Sequence, residues 1–152
     1  MLMHVIITAN SHHEGRFGGA IINTKFITEL VDVGRAARFT YFPQAENRRG
    51  RKLELTVTQT VAQIRAAMNT ANATDALILR VFPDEDLGQV PVVTTFLTDE
   101  VIMCWPHQDR SYSYITINQK GSGVKRYLID HYYREVEMLA ETASTSTSTT
   151  HT

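Results

Sequence analysis

The segment richest in chemistry is Gly121-Ser122-Gly123-Val124-Lys125-Arg126. Its two glycines let backbone N–H groups come close to an anion, and Ser122 adds a hydroxyl. A helix opening at this point would turn its positive dipole end toward a phosphate, and Lys125 and Arg126 would add charge. The spacing is not that of a Walker loop, because no GxxxxGK[ST] run is present. Upstream, Arg110 precedes Ser111-Tyr112-Ser113-Tyr114. Alternation in an extended chain puts Tyr112 and Tyr114 on one face, where with Arg110 they can line a polar pocket. Gly121, Ser122, Gly123, Lys125, Arg126, Arg110, Tyr112 and Tyr114 therefore form the candidate site for a phosphorylated or nucleotide-like small molecule. The plainer reading is a capped turn with two solvated bases.

A second cluster, Arg48-Arg49-Gly50-Arg51-Lys52, holds four positive charges in five residues. Arg48, Arg49, Arg51 and Lys52 could contact the phosphates of a nucleic acid, and Phe39, Tyr41 and Phe42 just before them could stack on bases. The competing reading is a solvated hairpin tip whose charges discourage edge pairing. Other constellations are weaker. His12-His13-Glu14, with His4 or His107, contains metal-ligand types, but adjacent residues of a strand point to opposite sides, so no metal or cofactor is expected. Cys104 lies three residues before His107 but follows Val101-Ile102-Met103, which favours a buried thiol over a nucleophile. Asp84-Glu85-Asp86 reads as a solvated acidic turn, with pairing to the basic loop of a neighbouring subunit or a divalent cation as alternatives. Glycine elbows, paired His-x-Thr elements and metal clusters are missing, so a non-enzymatic binder is expected, with phosphoester hydrolysis as the enzymatic alternative.

The elements that must position these groups are mostly strands. Residues 3–9, 20–33 (with a break near Thr24-Lys25), 38–42, 52–57, 76–82, 90–97, 101–105 and 111–117 read as eight strands from β-branched, aromatic or alternating patterns. Residues 90–97 and 101–105 are expected to form a hairpin through Thr98-Asp99-Glu100. Val57, Val61, Ile64 and Met68 make one face of a helix over about 58–70, for which Thr60 and Gln63 have capping-box spacing. Leu128, Tyr132, Val136 and Leu139 predict a second helix over about 123–141. The expected fold is α+β, a mostly antiparallel sheet arrangement in one domain over 1–143, followed by a disordered Ser/Thr tail over 144–152. No repeat of 20 to 50 residues is visible.

The chain has 152 residues, with 15 Lys+Arg against 16 Asp+Glu and a net charge of −1. That balance excludes a uniformly basic surface, though not a local patch. One cysteine excludes an intrachain disulfide and fits a reducing cytoplasm. No apolar run is long enough for a membrane helix, and the N-terminus reads as a first strand rather than a signal peptide. Two helices cannot cover both faces of so large a sheet, so a homo-oligomer is expected.

Two resemblances add to this. Ile22-Asn23-Thr24-Lys25-Phe26-Ile27, Val31-Asp32-Val33, Phe39-Thr40-Tyr41 and the run Leu55 to Ile64 form a β-β-β-α pattern over residues 22–68 that resembles the flagellar FlbD-like family. The resemblance implies no catalytic residue, and the basic loop 44–51 departs from it where the family has a tight glycine turn. In size and layout the chain is also similar to phage-encoded anti-Thoeris signal-sponge proteins. That likeness implies sequestration of a nucleotide-type, including cyclic, immune signal.

Overall fold

The computed structural model describes residues 1–10, 18–41, 53–119 and 123–149. The architecture is α+β, with a ten-stranded antiparallel sheet and two α-helices among these residues. The strands are β1 (Leu2–Asn10), β2 (Gly18–Asn23), β3 (Ile27–Asp32), β4 (Ala37–Tyr41), β5 (Leu53–Val57), β6 (Ala76–Phe82), β7 (Val92–Leu97), β8 (Val101–Pro106), β9 (Ser113–Gln119) and β10 (Gly123–Ile129). Helix α1 (Val61–Met68) follows β5 and α2 (Tyr133–Thr149) follows β10.

The order across the sheet is β3-β4-β5-β1-β2-β8-β9-β10-β6-β7. Numbering β6–β10 afresh from one gives the order 3-4-5-1-2 twice over, so the fold is a tandem structural duplication. The register agrees residue by residue. Leu2 pairs with Asn23 and Met3 with Ile22. Ala76 pairs with Leu97 and Leu77 with Phe96, each 74 positions further on. The β3–β4 pair is bulged between Ile27 and Glu29, and the β8–β9 pair at the corresponding place, between Val101 and Met103. Ile7 pairs with Val57 as Val81 pairs with Ile129. The backbone N–H of Thr24 donates to Met1 O (3.1 Å), and that of Thr98 to Asp75 O (3.0 Å). The period of 74 residues, Leu2 to Ala76, is longer than the about 20 to 50 typical of short repeats.

Each half builds its own core. Val5, Ile22, Phe39, Leu55 and Ile64 belong to the first, and Leu79, Phe96, Ile115, Ile129 and Val136 to the second. At the seam β2 pairs with β8, Ile21 opposite Cys104 and Ile22 opposite Met103. Ile22 and Met103 join the first core, Ile21 and Cys104 the second. Successive residues of a strand face opposite ways, so the two cores lie on opposite faces of one sheet.

Polar side chains latch the seam. Buried Tyr41 donates its hydroxyl to Ile102 O and accepts from Asn23 N–H at 2.9 Å. Burial pushes the Tyr41 phenol well above its ordinary value. Asn23 Nδ2 donates to Val101 O (2.9 Å) and Asp99 O (3.3 Å).

Residues 20–33 divide, at the expected break near Thr24-Lys25, into β2 and β3 around a 3-10 turn at Thr24–Phe26, which Asn23 caps by accepting from Lys25 N–H. Three expectations change. Strands β7 and β8 are not a hairpin: β7 pairs with β6 at the sheet edge, while β8 lies between β2 and β9. A 3-10 turn at Thr98–Glu100 separates them. The segment 123–129 is a strand, and α2 starts only at Tyr133. Its pairing with β9 along seven residues outweighs a stripe that Leu128 and Ile129 share with either period. Finally, α2 continues to Thr149, into the Ser/Thr tail expected to lack structure. A helix once nucleated extends at one backbone hydrogen bond per residue. Helix α1 has the expected capping box, Thr60 with Gln63.

Candidate functional site

The second half departs from the first where β6 ends. In the first half β1 runs past Ile7 and, after a bulge, pairs Ala9 with Thr56 and Asn10 with Leu55. In the second half only Val81–Ile129 and Phe82–Leu128 are paired. Pro83 has no N–H to continue the ladder and turns the chain away. The strands splay, and a cavity of about 400 Å³ opens between Lys125-Arg126-Tyr127 on β10 and Phe82-Pro83-Asp84-Glu85.

Its rim is strained. Asp84 (φ 55°) and Glu85 (φ 56°) are the only non-glycine residues with positive φ among those described. L side chains pay for this conformation, and it persists where other contacts enforce it. Here the contact is a fork-to-fork pair, with Arg126 Nε on Glu85 Oε1 at 2.6 Å and Nη2 on Oε2 at 3.0 Å. The hydrogen bond from Arg126 to this carboxylate raises the guanidinium above its ordinary value.

On the same side of the sheet, Arg126 also lies over the Tyr114 ring, 4.6 Å from its centroid. From there a chain of ring contacts crosses the surface. Trp105–Tyr114 centroids are 5.7 Å apart, His107–Tyr114 5.3 Å, His107–Tyr112 6.3 Å, and Tyr112–Phe82 5.3 Å, edge to face. The register explains the line: Trp105 opposes Tyr114, Tyr114 opposes Leu128, and Leu128 opposes Phe82. Lys125 lies on the opposite face, 5.0 Å from the centroid of Tyr127. The arrangement offers π-faces for a planar group, and cations beside the cavity for a negative one.

Lys125, Arg126, Tyr112 and Tyr114 thus lie in or next to one site. Gly123 begins β10, while Gly121 and Ser122 fall outside the described residues. Because Lys125 and Arg126 are mid-strand, no helix dipole acts on an anion there, and that part of the expected site is corrected. Arg110 sits on the exposed turn before β9, and its charge is felt at Tyr133. The basic cluster Arg48, Arg49, Arg51 and Lys52, between β4 and β5 in the sequence, lies outside the described residues, as do His12, His13 and Glu14, between β1 and β2. Sequence reading missed Phe82, Trp105, His107 and Glu85 as site members. The Pro83 stop and the acidic turn were the available signals, but neither indicates which strand lies opposite.

Other chemistry is accounted for structurally. Ser113, His131 and Glu135 combine the side-chain types of a hydrolase triad. However, Ser113 Oγ donates to His131 O (2.7 Å) and His131 Nε2 accepts from Arg80 N–H (2.9 Å), so no nucleophile–base pair exists. Cys104 is fully buried, and desolvation pushes its thiol far above its ordinary value. Among the described residues no three His, Cys, Asp or Glu side chains are grouped to hold a metal, and no helix is long and apolar enough to cross a membrane.

A scan against family models, a search of curated proteins and a search of solved structures each returned no match to this chain. They therefore do not bear on the resemblances to the FlbD-like and anti-Thoeris groups.

Proposed function

We propose that this chain is a non-enzymatic, homo-oligomeric binding protein for a phosphorylated or nucleotide-like small molecule. The observation supporting this reading is the asymmetry of the duplication. At equivalent sheet positions the first half carries Thr8, Val31, Arg38, Glu54 and Thr56, and the second Phe82, Trp105, Tyr114, Arg126 and Leu128. One half has an ordinary polar face; the other has rings, a guanidinium and a cavity. A planar ring would stack on Tyr114 or Tyr112, and a phosphate would take Arg126, with Lys125 beside it on the wall of the cavity. Sequestration of a cyclic nucleotide signal in the cytoplasm is one form of this function.

Glu85 is built into the proposal, because an arriving phosphate competes with it for the Arg126 guanidinium. Isothermal titration with adenosine monophosphate, a cyclic dinucleotide and inorganic phosphate tests the idea. Tyr114→Ala and Arg126→Gln should each weaken nucleotide binding about tenfold or more, since a stacking or charge-assisted contact contributes about 1–3 kcal/mol. Glu85→Gln should tighten it, and Arg38→Gln in the first half should change nothing. Binding that ignores Tyr114 and Arg126 rejects the site.

A single-stranded nucleic acid would use the same open row of rings. Its affinity would fall steeply with salt and with Ala at Arg48, Arg49, Arg51 and Lys52, the result that would favour a regulatory nucleic-acid-binding protein instead.

A further inference from the structure

Among the described residues the duplication leaves two free edges, and they are of complementary kinds. Inside the chain the halves join because the second strand of one, β2, pairs antiparallel with the third strand of the next, β8. The unpaired edges of the ten-stranded sheet are β3 and β7, the third strand of the first half and the second strand of the second. We propose that β7 of one copy pairs with β3 of another, repeating the internal seam between molecules. Transferring the register of Ile21–Cys104 and Ile22–Met103 by the equivalences above sets Thr95 opposite Leu30 and Phe96 opposite Glu29 of the second copy.

The surfaces fit this occupant. At the internal seam α2 lies over the outward face of the preceding half. Tyr133 Oη meets His4 Nε2 at 2.9 Å, and His4 N–H donates to Glu137 Oε2 at 2.7 Å. Beneath it Leu2 and Ile21 are buried. The positions equivalent to His4 and Gly19 are Ile78 and Val93, which are 58% and 67% exposed. Among the described residues no helix covers them. In the proposed joint α1 of the second copy takes the place of α2, setting Val61 and Met68 near them; Met68 is itself exposed. Strand β7 (VVTTFL) carries no charge or proline to deter pairing. Glu29, where the internal seam has Met103, substitutes a charge for an apolar contact and makes the joint between copies weaker than the internal one.

Strand order is retained between halves while strand direction is reversed, so one half is turned over relative to the other about an axis across the strands. Two such steps restore the original orientation. The joint is therefore head-to-tail, forming a ring or a filament according to sheet twist. It needs no bound nucleotide, so its test is separate from that of the proposed function.

Sedimentation velocity of the unmodified protein should give species larger than one chain, and Val93→Lys with Thr95→Lys should give monomers of unchanged melting temperature. Oxidising a mixture of Thr95→Cys and Leu30→Cys copies should cross-link unlike copies, while either variant alone should not. A monomer at all concentrations, an assembly indifferent to the lysines, or a cross-link within Thr95→Cys alone would overturn the proposal.

Discussion

The two halves share their strand order, their bulge and the pairing that starts each hairpin, yet their outward faces are used differently. In the first half a cation meets a carboxylate across β4 and β5, Arg38 Nε to Glu54 Oε1 at 4.0 Å. The same diagonal in the second half is Tyr114 to Arg126, a ring under a guanidinium. The first pair is exposed on both sides and contributes little to stability. The second borders a cavity and shares its guanidinium with a strained turn. Core positions are held to one apolar type by packing, whereas outward positions of a sheet are free to diverge, so function is better sought where the halves differ.

The same outward face carries a second contrast, with larger energetic consequences. Gly19 of the first half lies under α2, and a Cβ built there would collide with the Tyr133 hydroxyl and approach its Cζ at 2.8 Å and His4 Nε2 at 2.9 Å. Its equivalent in the second half, Val93, has a full side chain in solvent. Gly19→Val should therefore destabilise the chain by about 3 kcal/mol, because the buried Tyr133 ring has little room to withdraw. Val93→Ala should stay within about 0.5 kcal/mol. Urea unfolding of both variants measures the difference; equal costs would mean that α2 does not rest on β2.

Asn23 distinguishes the halves at the turn following the second strand, where its counterpart is exposed Leu97. Asn23→Leu makes the turns alike and removes the donor to Val101 O and Asp99 O. It should cost about 2 kcal/mol, the penalty for unsatisfied polar groups at a buried seam. Leu97→Asn, at the free edge, should be close to neutral by the same unfolding assay.

Much of this framework was legible in the sequence. The capping box of α1, the break at Thr24, the alternation in 53–57 and the Pro83 stop act within a few residues, where local chemistry decides. The fold class followed from them. The duplication was hidden because the counterparts of Ile22, Leu55 and Tyr41 are Phe96, Tyr127 and Ile117, alike only in being apolar, and because changes in loop length shift the spacing from 74 to 76 and then 72. Strand β10 resembles helix in the sequence because Leu128, Tyr132 and Val136 keep a period of four across the bend that separates β10 from α2. As for the site, Lys125, Arg126, Tyr112 and Tyr114 were found by type, but the splay that gathers them depends on which strand β10 pairs with.

The smallest expected effect lies in pH. His4 packs under α2, and its pKa is lowered, first by burial and then by Arg134, with Glu137 opposing. The folded chain thus holds the neutral imidazole more firmly than the unfolded chain does. Between the lowered value and the ordinary one near 6.5 the unfolded state binds more protons, so stability falls as pH drops through that window and levels off below it. Its counterpart, Ile78, has no such group. His4→Ile should flatten this part of the stability–pH curve, and so should His4→Gln, which keeps a polar side chain at the position. Unfolding midpoints for the three proteins across the window provide the check. A slope that persists in both variants would assign the proton uptake to another group and would leave the Tyr133–His4 contact without a role in the pH response.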